Sequence, residues 1–153
     1  MIYVECKPDE VLVRALTGLR RRDISHELKA KPEVANRIRS SRNARGLVDE
    51  DPLAPQPPYL VQLGIRDGLP DKGLRLLVDD ARGNHIVVLC PRLEEWIVAA
   101  ARGERVNLDY YNLPTDAGVL HRVINHRLPS FSRLVEDLRE TDQLRALRGL
   151  LNS

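Results

Sequence analysis

The sequence predicts an α/β fold with a mostly parallel, Rossmann-like central sheet, flanking helices and a helical C-terminal third. Short β-rich segments alternate with helical segments over the first 50 residues, a pattern typical of parallel strands joined by crossover helices. After residue 100, leucine and valine recur at helical spacing. A chain of 153 residues has the size of one domain. We therefore expect a single domain over 1–153, with a core at 1–100 and a helical extension at 101–153.

Local signals predict the elements of the first 50 residues. Residues Ile2 to Cys6 are β-rich, and Asp9 to Leu19 carries apolar residues at helical spacing. The segment Asp23 to Leu28 alternates weakly, which favours a second strand. A helix is expected from Pro32 to Ile38, because proline is favoured in the first turn. Residues Arg45 to Val48 then form a third short strand.

Prolines interrupt regular structure after the third strand. Four of them lie between residues 52 and 58, which predicts a loop. Residues 59–67 are expected to be helical or irregular. The β-rich runs Leu74–Val78 and His85–Cys90 are separated by a Gly-Asn turn, which is typical of a hairpin. A helix over residues 74–82 is the alternative.

The remainder of the chain is predicted to be helical. Pro91 begins a helix that Gly103 ends, and the spacing of Leu and Val predicts further helices over Asp116–His126 and Ser132–Leu151. Trp96 shares helical spacing with apolar neighbours, which favours a place in the core or an interface over a role in base stacking.

The composition also bounds location and partners. The chain has only two cysteines, no CxxC motif and a strand-like beginning in place of a signal peptide. These features predict a protein of the reducing cytoplasm. No apolar run approaches the roughly 20 residues that a membrane helix needs, so no membrane span is expected.

Charge is distributed unevenly along the chain, although its formal sum is only +2. Residues 20–45 contain nine Lys or Arg and three acids, whereas residues 46–80 contain seven acids and three bases. A basic flank beside an acidic centre suits a metal-dependent protein that acts on phosphates. The alternative interpretation of the basic run is a solvated helix face.

Acidic residues follow two of the predicted strands. Glu5 closes the first strand, and Asp49 and Asp51 close the third. All three fall at the carboxyl ends of predicted parallel strands, where sites gather in α/β folds. Residues i and i+2 of an extended segment point the same way, so two aspartates can face one cation. Magnesium commonly takes one or two carboxylates together with water and substrate phosphate. The alternative is that these acids are a polar strand exit before Pro52.

These residues resemble motifs of the Toprim family. Val4-Glu5-Cys6-Lys7-Pro8-Asp9 followed by a Leu-rich helix resembles the first Toprim motif, and Val48-Asp49-Glu50-Asp51 resembles the later DxD. The resemblance implies that Glu5 is a general acid or base and that Asp49 and Asp51 hold Mg²⁺ or Mn²⁺. Leu89-Cys90-Pro91-Arg92-Leu93-Glu94-Glu95-Trp96 is similar to a helix of small stand-alone prokaryotic Toprim-like proteins of the DUF4276 type. That similarity makes Glu94 a third candidate metal ligand.

The family resemblance implies a Mg²⁺-dependent protein that handles phosphodiesters, such as a nuclease of a defence or mobile-element system. The basic candidates for holding nucleic acid are Lys7, Arg21, Arg22, Arg42 and Arg45. The alternative is a catalytically silent interaction module that works beside a partner ATPase or as a homodimer. In that case the C-terminal helices would supply the docking face, unless their apolar residues pack onto the sheet. His121 and His126 are five residues apart, which does not place them on one helix face as a metal pair.

Overall fold

A computed structural model describes residues 1–27 and 30–153. It confirms the predicted α/β class, because helices flank a mostly parallel sheet that has six strands over the described residues. The strands lie in the order β2-β1-β3-β6-β5-β4, with the bounds β1 Ile2–Val4, β2 Ile24–Ser25, β3 Arg45–Asp49, β4 Gly64–Leu69, β5 Leu74–Asp79 and β6 Asn84–Leu89.

The helices occupy both faces of this sheet. Their bounds are α1 Lys7–Thr17, α2 Lys31–Arg39, α3 Pro58–Gln62, α4 Leu93–Gly103, α5 Ala117–Val123, α6 Leu128–Leu138 and α7 Asp142–Leu151. Short 3₁₀ turns join several of them. In the described part of the chain, no helix is both long enough and apolar enough to cross a membrane.

The strands β2, β1, β3 and β6 run parallel to one another, and β5 and β4 complete the sheet as antiparallel neighbours. The carboxyl ends of β1, β3 and β6 therefore meet at one end of the sheet. In open α/β sheets this is the end at which ligands bind. The topology thus brings the residues that follow β1 and β3 together.

Successive side chains of the central strands point to opposite faces of the sheet, and both faces are apolar. Leu47, Val87 and Leu89 belong to the apolar cluster that α1, α4, α6 and α7 cover. Their neighbours Val48 and Val88 belong to the second cluster, which α2 and α3 cover. Strands that are apolar on both faces are typical of a sheet buried between two helical layers.

The C-terminal helices pack into the larger of these two clusters. The apolar residues that could have formed a docking face are all buried there: Phe131, Leu134, Val135, Leu138, Leu144, Leu147 and Leu151. Helix α4 crosses the expected boundary between residues 100 and 101. The C-terminal third is therefore built into the same core as the sheet.

The first half of the chain departs from its predicted elements near β2. In place of a strand over Asp23 to Leu28, a 3₁₀ turn at Arg21–Asp23 leads into a strand of two residues, and Leu28 lies outside the described residues. Lys29 of the basic run also lies outside them. The first strand ends at Val4 and α1 begins at Lys7, because Pro8 fits the first helical turn.

The segment after the proline loop is the main error of the prediction. Residues 59–67 were expected to be helical or irregular, but they hold the short helix α3 and most of β4. The β4 strand is exposed, polar and contains two glycines, so it has no apolar alternation to reveal it. It pairs with β5 and carries a register shift between Ile65 and Asp67. The predicted hairpin of β5 and β6 is confirmed, and the alternative helix over 74–82 is wrong.

The C-terminal helices also differ in detail from their predicted bounds. The single helix expected over Ser132–Leu151 is divided into α6 and α7, because the Thr141 side chain accepts a hydrogen bond from the Leu144 N–H and begins a new helix. Helix α4 begins at Leu93, after a cis peptide bond at Cys90–Pro91.

Candidate active site

Four carboxylates gather at the carboxyl ends of β1 and β3. Glu5 follows β1, Asp9 lies in the first turn of α1, Asp49 ends β3 and Glu94 lies in the first turn of α4. Glu5 and Asp49 are half-buried, whereas Asp9 and Glu94 are buried. Two strand ends and two helix N-termini therefore deliver acids to one place, which we call the acidic cluster (Glu5, Asp9, Asp49 and Glu94).

Backbone amides hold two of these side chains in place. The Asp49 N–H donates to Glu5 Oε2 at 2.9 Å, which links the end of β3 to the residue after β1. The Leu93 N–H donates to Asp49 Oδ1 at 3.1 Å. Because Leu93 is the first residue of α4, the Asp49 carboxylate lies at a helix N-terminus, where negative charge is favoured.

Electrostatics in the acidic cluster are dominated by burial and mutual repulsion. Burial, together with the charges of Asp9, Glu5 and Glu94, raises the pKa of Asp49 to about 9. Burial likewise raises the pKa of Asp9 to about 7, with Glu5 the next cause. The pKa of Glu5 is also raised, chiefly by burial. Carboxylates that repel one another in this way favour either a bound cation or bound protons.

The charge of Lys31 acts on Glu5 and lowers the pKa of its carboxyl. Its Nζ donates to the Glu50 carbonyl oxygen at 2.8 Å and to Gln56 Oε1 at 2.6 Å. Burial lowers the pKa of Lys31, while the charges of Glu5 and Asp51 act in the opposite direction. Lys31 thus joins the N-terminus of α2 to the loop after β3.

Asp51 lies beside the acidic cluster, but it does not reach it along an extended strand. The strand β3 ends at Asp49, and Asp51 has φ 45°, in the left-handed region. The i, i+2 argument that placed Asp49 and Asp51 on one face therefore does not apply to this backbone. Asp51 is nevertheless near enough for its charge to raise the pKa of Glu5.

His121 contacts the acidic cluster, although its spacing from His126 did not indicate a site. Its Nδ1 lies 3.0 Å from Glu94 Oε1, so α5 packs over the start of α4. Asp9 was given no role of its own in the motif, yet it is buried and the charges of Glu5 and Glu94 act on it. The spacing of Asp9 from Glu5 in the first motif was the available signal for Asp9. No local signal pointed to His121, since its partner is 27 residues away.

The basic candidates divide into three places. Lys7 is exposed at the start of α1, two residues after Glu5, and Arg21 and Arg22 are exposed before β2. Arg45 begins β3, about 13 Å along the strand from Asp49 at the usual rise per residue, and Arg42 precedes that end of the strand. The Arg45 guanidinium donates to the Leu151 carbonyl oxygen and so ties β3 to the last helix.

One observation speaks against a metal ion in the acidic cluster, and the chemistry of the donor atoms speaks for it. Within residues 1–27 and 30–153, no set of three His, Cys, Asp or Glu side chains is arranged as a group that could hold a metal ion. The donor set nevertheless consists of hard carboxylate oxygens, and Asp49 and Glu5 each use one oxygen in the amide hydrogen bonds described above. Such a set suits Mg²⁺ bound by one or two carboxylates, with water and phosphate completing the shell.

Comparison with known proteins leaves the site to be interpreted from its own chemistry. No protein-family model, curated protein or solved structure matches the chain.

Proposed function

We propose that this protein is a Toprim-like, Mg²⁺- or Mn²⁺-dependent phosphodiester-handling enzyme, a nuclease that acts on nucleic acid in a prokaryotic defence or mobile-element system. The observation that carries the proposal is the acidic cluster at the carboxyl ends of β1 and β3. Burying several carboxylates together costs free energy unless a cation or protons offset their charge. A cation site is the functional arrangement that accounts for this cost.

The chain's own residues divide the proposed work among themselves. Asp49, whose Oδ1 accepts from the Leu93 N–H, would hold the cation, and Asp51 or Glu94 would add a second carboxylate. Glu5 is positioned by the Asp49 N–H to accept a proton from the attacking water or to deliver one. When bound, Mg²⁺ supplies Lewis-acid polarisation of a phosphoryl oxygen and a lowered pKa for bound water. The N-termini of α1 and α4 favour the approach of an anionic phosphate.

A second candidate function is supported by the burial of these same acids. Asp9 and Glu94 are buried, and Lys31 supplies a positive charge beside Glu5. A protein of this kind would be a catalytically silent module that uses the acids structurally and acts with a partner such as an ATPase or a second copy. Both candidates are consistent with a reducing cytoplasm, since Cys6 and Cys90, which lie in the described part of the chain, are free thiols.

Metal-binding calorimetry with a matched pair of variants tests the proposal. We would titrate Mg²⁺ and Mn²⁺ into the wild type, into Asp49→Asn and into Asp71→Asn, an exposed acid outside the acidic cluster. The proposal requires binding by the wild type and by Asp71→Asn, loss of binding by Asp49→Asn, and metal-dependent cleavage of a labelled DNA and RNA panel that follows the same order. A wild type that neither binds nor cleaves would favour the silent module.

A further inference from the structure

A hollow of about 420 Å³ lies along the β2 edge of the sheet, apart from the acidic cluster. Its lining includes Tyr3, Arg21, Arg22, His26, Glu27 and Arg37. We propose that this hollow, which we call the β2-edge hollow, binds a single-stranded stretch of nucleic acid that continues from the acidic cluster. The inference rests on the proposed function, because that function supplies the strand.

The charge of the β2-edge hollow suits a phosphate backbone. Three arginines line it, together with one exposed acid, Glu27. The buried Glu10 carboxylate contacts two of the lining residues. Its Oε2 lies 2.9 Å from His26 Nε2, and its Oε1 lies 3.6 Å from Arg21 Nε. The Arg21 side chain is still 73 % exposed. Arg22 and Arg37 are exposed as well, so they can contact phosphates without breaking a buried contact.

An aromatic ring lies under one of these arginines. The Arg37 guanidinium carbon is 5.8 Å from the centre of the Tyr3 ring, and Tyr3 is only partly buried. Proteins that bind single strands combine a cationic groove with aromatic rings on which unpaired bases stack. A base inside a duplex is not free to leave its neighbours and reach such a ring. The combination therefore favours a single strand over a double helix.

Strand β1 links the β2-edge hollow to the acidic cluster, because Tyr3 lies on β1 and Glu5 follows its end. Tyr3 precedes Glu5 by two residues, which corresponds to about 7 Å along a strand. Lys7 is exposed two residues beyond Glu5. A strand that places one phosphate at the acidic cluster can therefore place its neighbouring nucleotides against Tyr3 and the arginines.

Salt-dependent binding of oligonucleotides tests this inference. We would measure fluorescence anisotropy of a labelled single-stranded DNA and a labelled duplex over a series of salt concentrations, in EDTA and in Mg²⁺. The variants are Arg22→Ala/Arg37→Ala and, as a control with the same loss of charge, Arg102→Ala/Arg145→Ala, which lies outside the β2-edge hollow. All four arginines are exposed, so both proteins should fold.

The β2-edge hollow predicts tighter binding of the single strand than of the duplex. Loss of two phosphate contacts should reduce the magnitude of the logarithmic salt slope by about 1.4 in Arg22→Ala/Arg37→Ala, and the control should keep the wild-type slope. Tyr3→Leu should weaken binding by about tenfold without changing the slope, because it removes a stacking surface and no charge. Equal slopes in the two double variants, or tighter binding of the duplex, would overturn the inference.

The same samples separate this inference from the proposed function. Asp49→Asn should still bind the single strand in EDTA if the β2-edge hollow is the binding site. Metal-dependent cleavage with no effect of Arg22→Ala/Arg37→Ala would support the proposed function and rule out the β2-edge hollow as a binding site. Binding of the single strand that depends on these arginines, without any cleavage, would support the β2-edge hollow as a binding site and rule out the proposed nuclease function.

Discussion

The main-chain N–H of Asp49 donates to the side chain of Glu5 at 2.9 Å. The residue proposed to hold a cation therefore also orients the residue proposed to move a proton. Parallel pairing of β1 with β3 brings the two together, with Val4 opposite Leu47 in the register. A change in the pairing of these strands would disturb both proposed roles at once.

The stability of the metal-free protein should fall as pH rises. The pKa values of Asp9 and Asp49 are raised from 3.8 to about 7 and about 9. Between 3.8 and these raised values, the folded state therefore binds more protons than the unfolded state. Stability conferred by those protons is complete below about pH 4 and is lost as pH rises through the folded pKa values. Thermal unfolding in EDTA at several pH values should show this decline as a falling Tm.

Two variants check the origin of that decline. Asp9→Asn/Asp49→Asn should unfold at a Tm that depends much less on pH over the same range, because the titrating groups are gone. Asp71→Asn, which removes an exposed acid, should keep the wild-type profile. A wild-type Tm that rises from pH 5 to pH 9 in EDTA would contradict the prediction.

Loss of the Lys31 charge should raise the pKa of Glu5 further. The Lys31 ammonium lowers the pKa of Glu5, and its removal in Lys31→Met leaves burial and the neighbouring acids unopposed. A carbon-detected NMR titration of the Glu5 carboxyl would measure the change. The control is Lys72→Met, whose ammonium lies near Asp71. An unchanged or lower pKa for Glu5 in Lys31→Met would show that the lysine does not act on this carboxyl.

Asn84→Ala should destabilise the protein strongly without touching the acidic cluster. The buried Asn84 side chain accepts from the Ala44 N–H at 2.9 Å and donates to the carbonyl oxygens of Ile38 and Ser41. Alanine leaves these backbone groups buried without that partner, at about 1–3 kcal/mol for each unsatisfied group. Urea unfolding should report a loss of about 3 kcal/mol or more. The exposed Asn125→Ala is the control, and it should unfold as the wild type does.

Two glycine substitutions should have opposite effects on stability. Gly73 has φ 64°, and a Cβ there would lie 2.9 Å from both the Cys90 carbonyl oxygen and the Trp96 ring, so Gly73→Ala should cost about 1–3 kcal/mol. Gly149 lies within α7, where a Cβ would meet nothing within 4 Å. Gly149→Ala should therefore stabilise by about 0.5–1 kcal/mol. Thermal or urea unfolding of the two variants would measure both, and a stabilised Gly73→Ala would contradict the geometry.

The sequence indicated most of the fold because its signals are local and strong. The β-rich apolar runs of β3 and β6 reflect burial on both faces of the sheet, and the helical spacing in α1 and α4 reflects burial on one face. The Gly-Asn turn marked the hairpin of β5 and β6. The strand β4 escaped prediction because its pairing with β5, and not its own side chains, makes it a strand. Pairing with a partner in the sheet is not visible in a local pattern.

The candidate site was predicted in part for a similar reason. Glu5 and Asp49 were expected to lie together because parallel strands end at one edge of a sheet, and the structure places them in contact. The positions of Lys31 and His121 depend on how α2 and α5 pack, which no local pattern encodes. The left-handed backbone at Asp51 depends on the loop after β3, where the Asp51 N–H donates to the Pro91 carbonyl oxygen.

The exposed strand β4 has a consequence for how copies of this protein meet. As the last strand of the sheet, it offers unpaired backbone groups on which another strand can add. The register shift between Ile65 and Asp67 bends this edge, and Arg66 projects from it towards Asp80. A symmetric antiparallel pairing centred on the middle of β4 would set Arg66 against Arg66 or Asp67 against Asp67, which is unfavourable. Like charges at a bent edge therefore disfavour aggregation in which β4 of one copy pairs with β4 of another.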